Sequence, residues 1–217
     1  LPKDLIVLSW GYHAGESFDG AIQPFTELGF RFMVCPGVSC WSQVYPDLRG
    51  ACINISNYIR DGARHGTMGV INTTWDDSGE NLFNANWYPL IWGAECSWRP
   101  AIADSGADAN ALREARLAQF DGAFGLMFHG TSGADAAGLL QALSALRQNP
   151  ASGSMNDGAF WRTMDEVYRR NGSVSDGLAL ARDAGSIRDG LEGLLRTQPR
   201  NAEALEVAVH AARRAAF

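Results

Sequence analysis

Three tryptophans near the ends of apolar runs are the side chains of this sequence best suited to chemistry. They are Trp10, Trp41 and Trp75. The flat apolar faces of sugar rings stack on indole rings, while neighbouring polar groups bind the sugar hydroxyls. A single tryptophan at the end of a strand is most often part of the core. Three at equivalent positions favour a sugar-binding aromatic site over core filling.

Polar and aromatic neighbours accompany two of these tryptophans. Asp76 and Asp77 directly follow Trp75, and Tyr12 lies two residues after Trp10. An ionised carboxylate accepts two or more hydrogen bonds, so we expect the aspartates to accept hydrogen bonds from sugar hydroxyls. The alternative is that one of them caps the next helix. The predicted substrate-binding residues are Trp10, Tyr12, Trp41, Trp75, Asp76 and Asp77.

Two further residues near Trp10 are weaker candidates for chemistry. Glu16 with Asp76 or Asp77 would form a pair of carboxylates of the kind that hydrolyses glycosides, but nothing in their spacing requires it. His13 is a candidate base, although a lone histidine after a strand more often makes a structural hydrogen bond.

The tryptophans follow predicted strands that alternate with predicted helices. Apolar runs at residues 5–10, 30–34 and 68–71 predict strands, and the continuous run 5–10 indicates a strand buried on both faces. Helical signals follow at 17–28, 47–65 and 87–98, where Leu48, Cys52, Ile55 and Ile59 form one apolar face of the second helix. Such alternation predicts parallel βαβ connections. An eight-stranded barrel takes about 250 residues, so three such units cannot close one, although they could be its last three.

The remainder of the chain carries helical spacing alone. The predicted helices are 107–124, 134–146, 160–170, 175–195 and 201–216. An apolar stripe predicts packing between helices rather than a cofactor site; it consists of Leu112, Ala115, Phe120, Phe124 and Phe128. We therefore predict an all-helical domain over residues 101–217.

Composition excludes several classes of function. The 217 residues carry a formal net charge of −6 and no Lys/Arg run, which argues against binding of nucleic acid or anionic lipid. No apolar run approaches the ~20 residues of a membrane span, and no signal peptide is visible. The sequence does not begin with Met and ends inside a helical pattern, so we expect a fragment of a longer protein. We expect that protein to be cytoplasmic. The four cysteines of the sequence, Cys35, Cys40, Cys52 and Cys96, lack metal-ligand spacing. They could form two disulfides, but three lie in or beside apolar runs, and we expect reduced thiols.

Residues 69–77, GVINTTWDD, resemble the last barrel strand of glycoside hydrolase family 20, the β-N-acetylhexosaminidases. That strand ends in Trp followed two residues later by Glu or Asp, here Trp75 and Asp77. Residues 87–98, WYPLIWGAECSW, are similar to the W-P…A-E…W helix that closes the family's barrel.

A second set of residues is similar to the family's bacterial branch, which acts on small amino-sugar glycosides. It consists of Cys35-Pro36-Gly37, Trp41, and Asn54 in the helix that ends before Gly66.

The resemblance implies a fold and an activity. Residues 1–100 would be the last three βα units of a (β/α)₈ barrel, an α/β fold, followed by the helical domain. Trp10 would form the aromatic wall of the sugar pocket, Trp75 its floor, and Asp77 would hold hydroxyls of the terminal sugar. The implied activity is exo-acting removal of a terminal N-acetylhexosamine, without a metal or another cofactor. The implied partners are the carbohydrate substrate and the missing N-terminal part of the same barrel.

Two departures limit what the resemblance implies. Ser39, Cys40 and Trp41 stand where the family's classical members carry a Tyr and an Asp that hold the acetamido group. The family also uses an adjacent Asp-Glu pair, in which Glu is the acid. The only such pair here is Asp165-Glu166, in a predicted helix. We therefore expect this chain to be inactive by itself. The alternative function is that of a non-catalytic carbohydrate-binding or interaction module.

Overall fold

A computed structural model describes residues 2–77, 81–101, 108–131, 135–152 and 173–216. The predicted helix 160–170 and the Asp165-Glu166 pair lie outside the described residues. The chain divides into two compact units. The first contains Leu1–Ser39, Leu48–Trp75 and Pro89–Arg116, and the second contains Cys40–Asp47, Asp76–Tyr88 and Leu117–Phe217. The predicted domain boundary at residue 100 falls within the last segment of the first unit.

The first unit is built on a two-stranded parallel sheet. Strand β1 (Ile6–Trp10) pairs in parallel with β2 (Arg31–Cys35), in a register that sets Ile6 opposite Arg31 and Trp10 opposite Cys35. Helix α1 (Asp19–Glu27) connects the strands and accommodates Pro24, and α2 (Leu48–Arg64) follows β2. Helix α2 ends before Gly66, whose φ of +76° is in the left-handed region that glycine adopts readily.

One face of this sheet packs on the helices to form the core. The buried cluster consists of Phe18, Ile22, Phe32, Val34 and Tyr58, with Val7, Phe25 and Val70 packed against it. The apolar face predicted for α2 is confirmed, since all four of its residues are buried. Burial of β1 on both faces is wrong, because Ile6 and Leu8 on its other face are about half exposed.

The third predicted strand does not form. Residues 68–73 run beside β2, but they make only isolated bridges, from Val70 to Val34 and from Thr73 to Gly37. These bridges share one register, in which the hydrogen bond between them would come from residue 36. That residue is Pro36, which has no N–H to donate. The proline therefore interrupts the ladder.

The predicted fold class is wrong. The sheet of the described chain has two strands, and most of that chain is helical. This is not the last part of a (β/α)₈ barrel with three βα units. Two further helices, α3 (Trp87–Trp98) and α4 (Ala109–Phe124), begin and end close to the predicted bounds.

The described part of the second unit is mostly helical, as the spacing predicts. A π-helical turn (Gly125–His129) is followed by α5 (Asp135–Ala145), α6 (Val174–Leu195) and α7 (Ala202–Ala216). Helix α6 begins with a capping box, in which Ser173 Oγ accepts from the N–H of Asp176 and the Asp176 carboxylate accepts from the N–H of Ser173. Helices α6 and α7 pack through residues buried on both, including Leu191, Leu205 and Ala208. The predicted apolar stripe is buried only in part, since Phe120 and Phe124 are buried but Leu112 is exposed.

Candidate functional site

Three aromatic side chains of the first unit lie side by side. The indole Nε1 of Trp75 donates a hydrogen bond to the Tyr12 hydroxyl at 2.8 Å. The ring centroids of Tyr12 and Trp75 are 6.5 Å apart, with ring planes at 57°. On its other side, the Tyr12 ring lies 5.6 Å from that of Trp10, with ring planes at 30°. We call Trp10, Tyr12 and Trp75 the aromatic surface.

The aromatic surface faces solvent. Trp10 is 69% exposed and Trp75 is 47% exposed, while Tyr12 is half-buried between them. Single exposed apolar residues are common on proteins, whereas a contiguous group of large aromatic rings is a candidate interaction site. The rings are tilted relative to one another, so they line a bent surface rather than a flat one.

The end of β1 positions Trp10. Successive side chains of a strand point to opposite faces. Ser9 points to the helices, where its hydroxyl lies 2.8 Å from that of Tyr58. Trp10, the next residue and the last of the strand, therefore points away from the core.

The segment beside β2 positions Trp75. The N–H of Thr73 donates to the carbonyl of Pro36 at 2.8 Å, and the N–H of Val38 donates back to the carbonyl of Thr73 at 3.0 Å. These two bonds fix the backbone two residues before Trp75.

Polar side chains on α2 hold the loop that carries Tyr12. Asn54, Asn57 and Arg60 donate side-chain hydrogen bonds to backbone carbonyls of residues 11–16. The Asp61 carboxylate accepts a hydrogen bond from the N–H of Phe18 at 2.8 Å. All four polar residues are buried. Asn57, Arg60 and Asp61 are not among the residues predicted from the sequence. The available signal was their spacing, which places polar residues on one side of an otherwise apolar helix.

Three predicted site residues belong to the second unit. Trp41 is half-buried there, and Asp76 and Asp77 are exposed. None of the three is therefore part of the aromatic surface, which lies within the first unit. In the described chain, the next helical turn begins at Phe83 after Leu82, so neither aspartate caps it.

His13 and Glu16 contribute backbone groups to the loop. The His13 carbonyl accepts from Asn54 at 2.8 Å, and the Glu16 carbonyl accepts from Arg60 at 2.8 Å. The His13 ring packs on Phe18 with a centroid distance of 4.9 Å. Hydrogen bonds from α2 thus hold the backbone of both residues in place. Among the residues that the structure describes, no cluster of His, Cys, Asp or Glu is arranged to hold a metal ion.

The four cysteines are buried and carry free thiols. Burial raises the pKa of the Cys35 thiol, and it raises that of Cys96 to about 12. The thiolate is the nucleophilic form of cysteine, so these two thiols are unreactive at neutral pH.

Comparison with known proteins adds no family assignment. No protein-family model matches the chain, and no curated protein matches it significantly. Within the described segments, no helix combines the length and the apolar character needed to cross a membrane.

Proposed function

We propose that this chain binds carbohydrate through the aromatic surface. The observation that carries the proposal is the exposed group of Trp10, Tyr12 and Trp75, with the indole of Trp75 hydrogen-bonded to Tyr12. Indole and phenol rings bury a large apolar area and keep a polar group at the edge, which suits the apolar faces and hydroxyls of a sugar. The bent arrangement of the rings favours a ring at the end of a glycan over a flat polymer face.

The second candidate is hydrolysis of a terminal N-acetylhexosamine, which the resemblance to family 20 implies. Its specific support is that Trp10 and Trp75, the residues expected to form the wall and floor of the sugar pocket, lie on either side of Tyr12. As part of this proposal, the acid is supplied by residues other than those of the aromatic surface. The four free thiols fit a reducing compartment, and we propose the cytoplasm.

Replacing Trp75 tests carbohydrate binding. Covering a large, half-exposed aromatic ring contributes about 1–2 kcal/mol, so Trp75→Ala is expected to weaken sugar binding by about 5- to 30-fold. Trp98→Ala is the matched control, because Trp98 is 86% exposed and lies outside the aromatic surface. Titration calorimetry with N-acetylglucosamine, its β-linked disaccharide and cellobiose measures both the affinity and the preference for the N-acetyl group.

One outcome tests the location of the site, and a second assay tests hydrolysis. If Trp75→Ala and Trp98→Ala bind sugar as tightly as the wild type, the aromatic surface is not the binding site. A chromogenic N-acetylglucosaminide, assayed beside the corresponding glucoside, tests hydrolysis. Release from the first substrate alone supports hydrolysis of N-acetylhexosamine by this chain, whereas binding without release means that the chain by itself only binds sugar.

A further inference from the structure

The side chain of Asn54 connects the two segments that carry the aromatic surface. It is fully buried on α2. Its Nδ2 donates to the carbonyl of Gly11 at 2.9 Å and to that of His13 at 2.8 Å. Its Oδ1 accepts from the N–H of Gly37 at 3.0 Å. One amide group thus joins the loop after β1 to the chain after β2.

The two bonds to the loop enclose Tyr12. Gly11 and His13 are its neighbours in sequence, and Asn54 holds the carbonyl of each. The backbone at residue 12 cannot move without lengthening one of these bonds. Any other position of the loop loses at least one of these hydrogen bonds, so the two bonds favour the observed position of residue 12.

The third bond reaches the segment that carries Trp75. Gly37 lies between Pro36 and Val38. The carbonyl of Pro36 accepts from the N–H of Thr73, and the N–H of Val38 donates to the carbonyl of Thr73. Asn54 therefore fixes Tyr12 from one side and the backbone leading to Trp75 from the other. The hydrogen bond from Trp75 Nε1 to the Tyr12 hydroxyl joins these two segments at the surface.

We propose that Asn54 is a positioning residue for the aromatic surface, setting Tyr12 against Trp75 for carbohydrate. This inference rests on the proposed function. A primary amide suits the task because it offers two donors and an acceptor in one plane. Aspartate has almost the same shape but no donor.

Asn54→Asp is the test variant, with Asn57→Ala as its matched control. The aspartate keeps an acceptor for Gly37, but its second oxygen replaces the donor that faces the carbonyls of Gly11 and His13. Asn57 is also buried on α2, and it holds the carbonyl of Gly15, farther along the same loop. Both variants lose hydrogen bonds to the loop, but only Asn54→Asp releases the backbone on either side of Tyr12.

The first readout needs no sugar. The indole N–H resonance of Trp75, assigned by its loss in Trp75→Phe, reports the hydrogen bond to Tyr12. We expect Asn54→Asp to shift this resonance and to speed its exchange with solvent by at least tenfold, and Asn57→Ala, which frees only the carbonyl of Gly15, to change both by much less. If both variants change the resonance equally, Asn54 is merely structural and the proposal fails.

The wild-type chain gives a readout that does not depend on whether Asn54→Asp folds. The side-chain amide protons of Asn54 and the N–H of Gly37 should exchange with solvent slowly. Rapid exchange of these protons in the folded chain would overturn the proposal.

The third readout is sugar affinity in a double-mutant cycle. Asn54→Asp and Tyr12→Phe should each weaken binding several-fold, and the double variant should bind no more weakly than the weaker single variant. Multiplied losses would mean that Asn54 does not act through Tyr12. If the wild type binds no sugar, the proposed function fails, and the Trp75 resonance still decides whether Asn54 sets the geometry.

Discussion

Helix α2 approaches β2 so closely at Gly62 that we expect a methyl group there to destabilise the first unit. A Cβ atom at residue 62 would lie 2.7 Å from Cγ1 and 2.9 Å from Cγ2 of Val34. Val34 is fully buried in the middle of β2. Because both of its methyl groups are in the way, rotation about χ1 gives little relief. Gly62→Ala therefore has to push the helix away from the strand.

The expected loss of stability is the difference between two effects. Overpacking a tight core site costs about 1–3 kcal/mol, and two short contacts to a fully buried side chain place Gly62 toward the upper end. Alanine in place of glycine inside a helix returns about 1 kcal/mol. We expect Gly62→Ala to lower the free energy of unfolding by about 1–2 kcal/mol.

Urea unfolding followed by far-UV circular dichroism measures this change, provided that the denaturant slope is the same in each variant. Gly20→Ala in α1 and Gly185→Ala in α6 are the controls, because a Cβ atom at either residue meets nothing within 4 Å. Both should be neutral or stabilising. In a Val34→Ala background the clash is removed, and Gly62→Ala should become neutral or stabilising too. If Gly62→Ala stabilises the wild type as its controls do, or if its effect adds to that of Val34→Ala, the close approach of α2 to β2 is refuted.

Two further predictions concern pH and self-association. Burial lowers the pKa of His129 below 6.5, and its Nδ1 lies 3.1 Å from the carbonyl of Arg200. As the pH drops below about 6.5, the imidazole of His129 is therefore protonated in the unfolded chain at a higher pH than in the folded chain. This favours the unfolded state, so the free energy of unfolding should fall. His129→Asn, whose amide can donate to the same carbonyl, should reduce that fall in pH-dependent urea unfolding; an unchanged fall would contradict the assignment. On the outer face of β1, Ile6 is 44% exposed and Leu8 is 51% exposed. In the described chain, β1 pairs only with β2. We therefore expect copies of the chain to associate with one another as the concentration rises. Leu8→Lys should reduce the mass measured by light scattering, whereas Leu28→Lys, at a residue 61% exposed outside the sheet, should not; equal effects, or a wild type that stays monomeric, would count against this face.

Local sequence signals predicted most of the elements, including the two parallel strands, but not where the sheet ends. The spacing of Leu48, Cys52, Ile55 and Ile59 predicted both helix α2 and its buried face, because a helical repeat is a property of neighbouring residues. The strand predicted at residues 68–71 depends instead on its partner. Pro36 removes one donor from that partner, and no pattern within 68–71 carries this information.

The candidate site was predictable in its aromatic residues and not in its support. Trp10, Tyr12 and Trp75 were identified by their residue types at the ends of apolar runs, and they lie together in the structure. The hydrogen bonds of Asn54 join carbonyls more than 40 residues away in sequence. A contact at such a distance depends on the register of β1 against β2, which the sequence alone did not determine.

Four buried residues form a polar edge of α2: Asn54, Asn57, Arg60 and Asp61. They are better explained by the need for one specific loop conformation than by a gain in stability. Arg60 and Asp61 form a buried ion pair at 2.7 Å, and Asn54 and Asn57 are buried beside them. Apolar residues of similar volume are often as stabilising as a buried ion pair. Apolar side chains, however, would pack against the loop of residues 11–18 in many positions, whereas hydrogen bonds to its backbone are satisfied in one. The polar edge therefore stabilises a single conformation of the loop that presents Tyr12, which is the requirement for an aromatic surface that binds its ligand without rearranging.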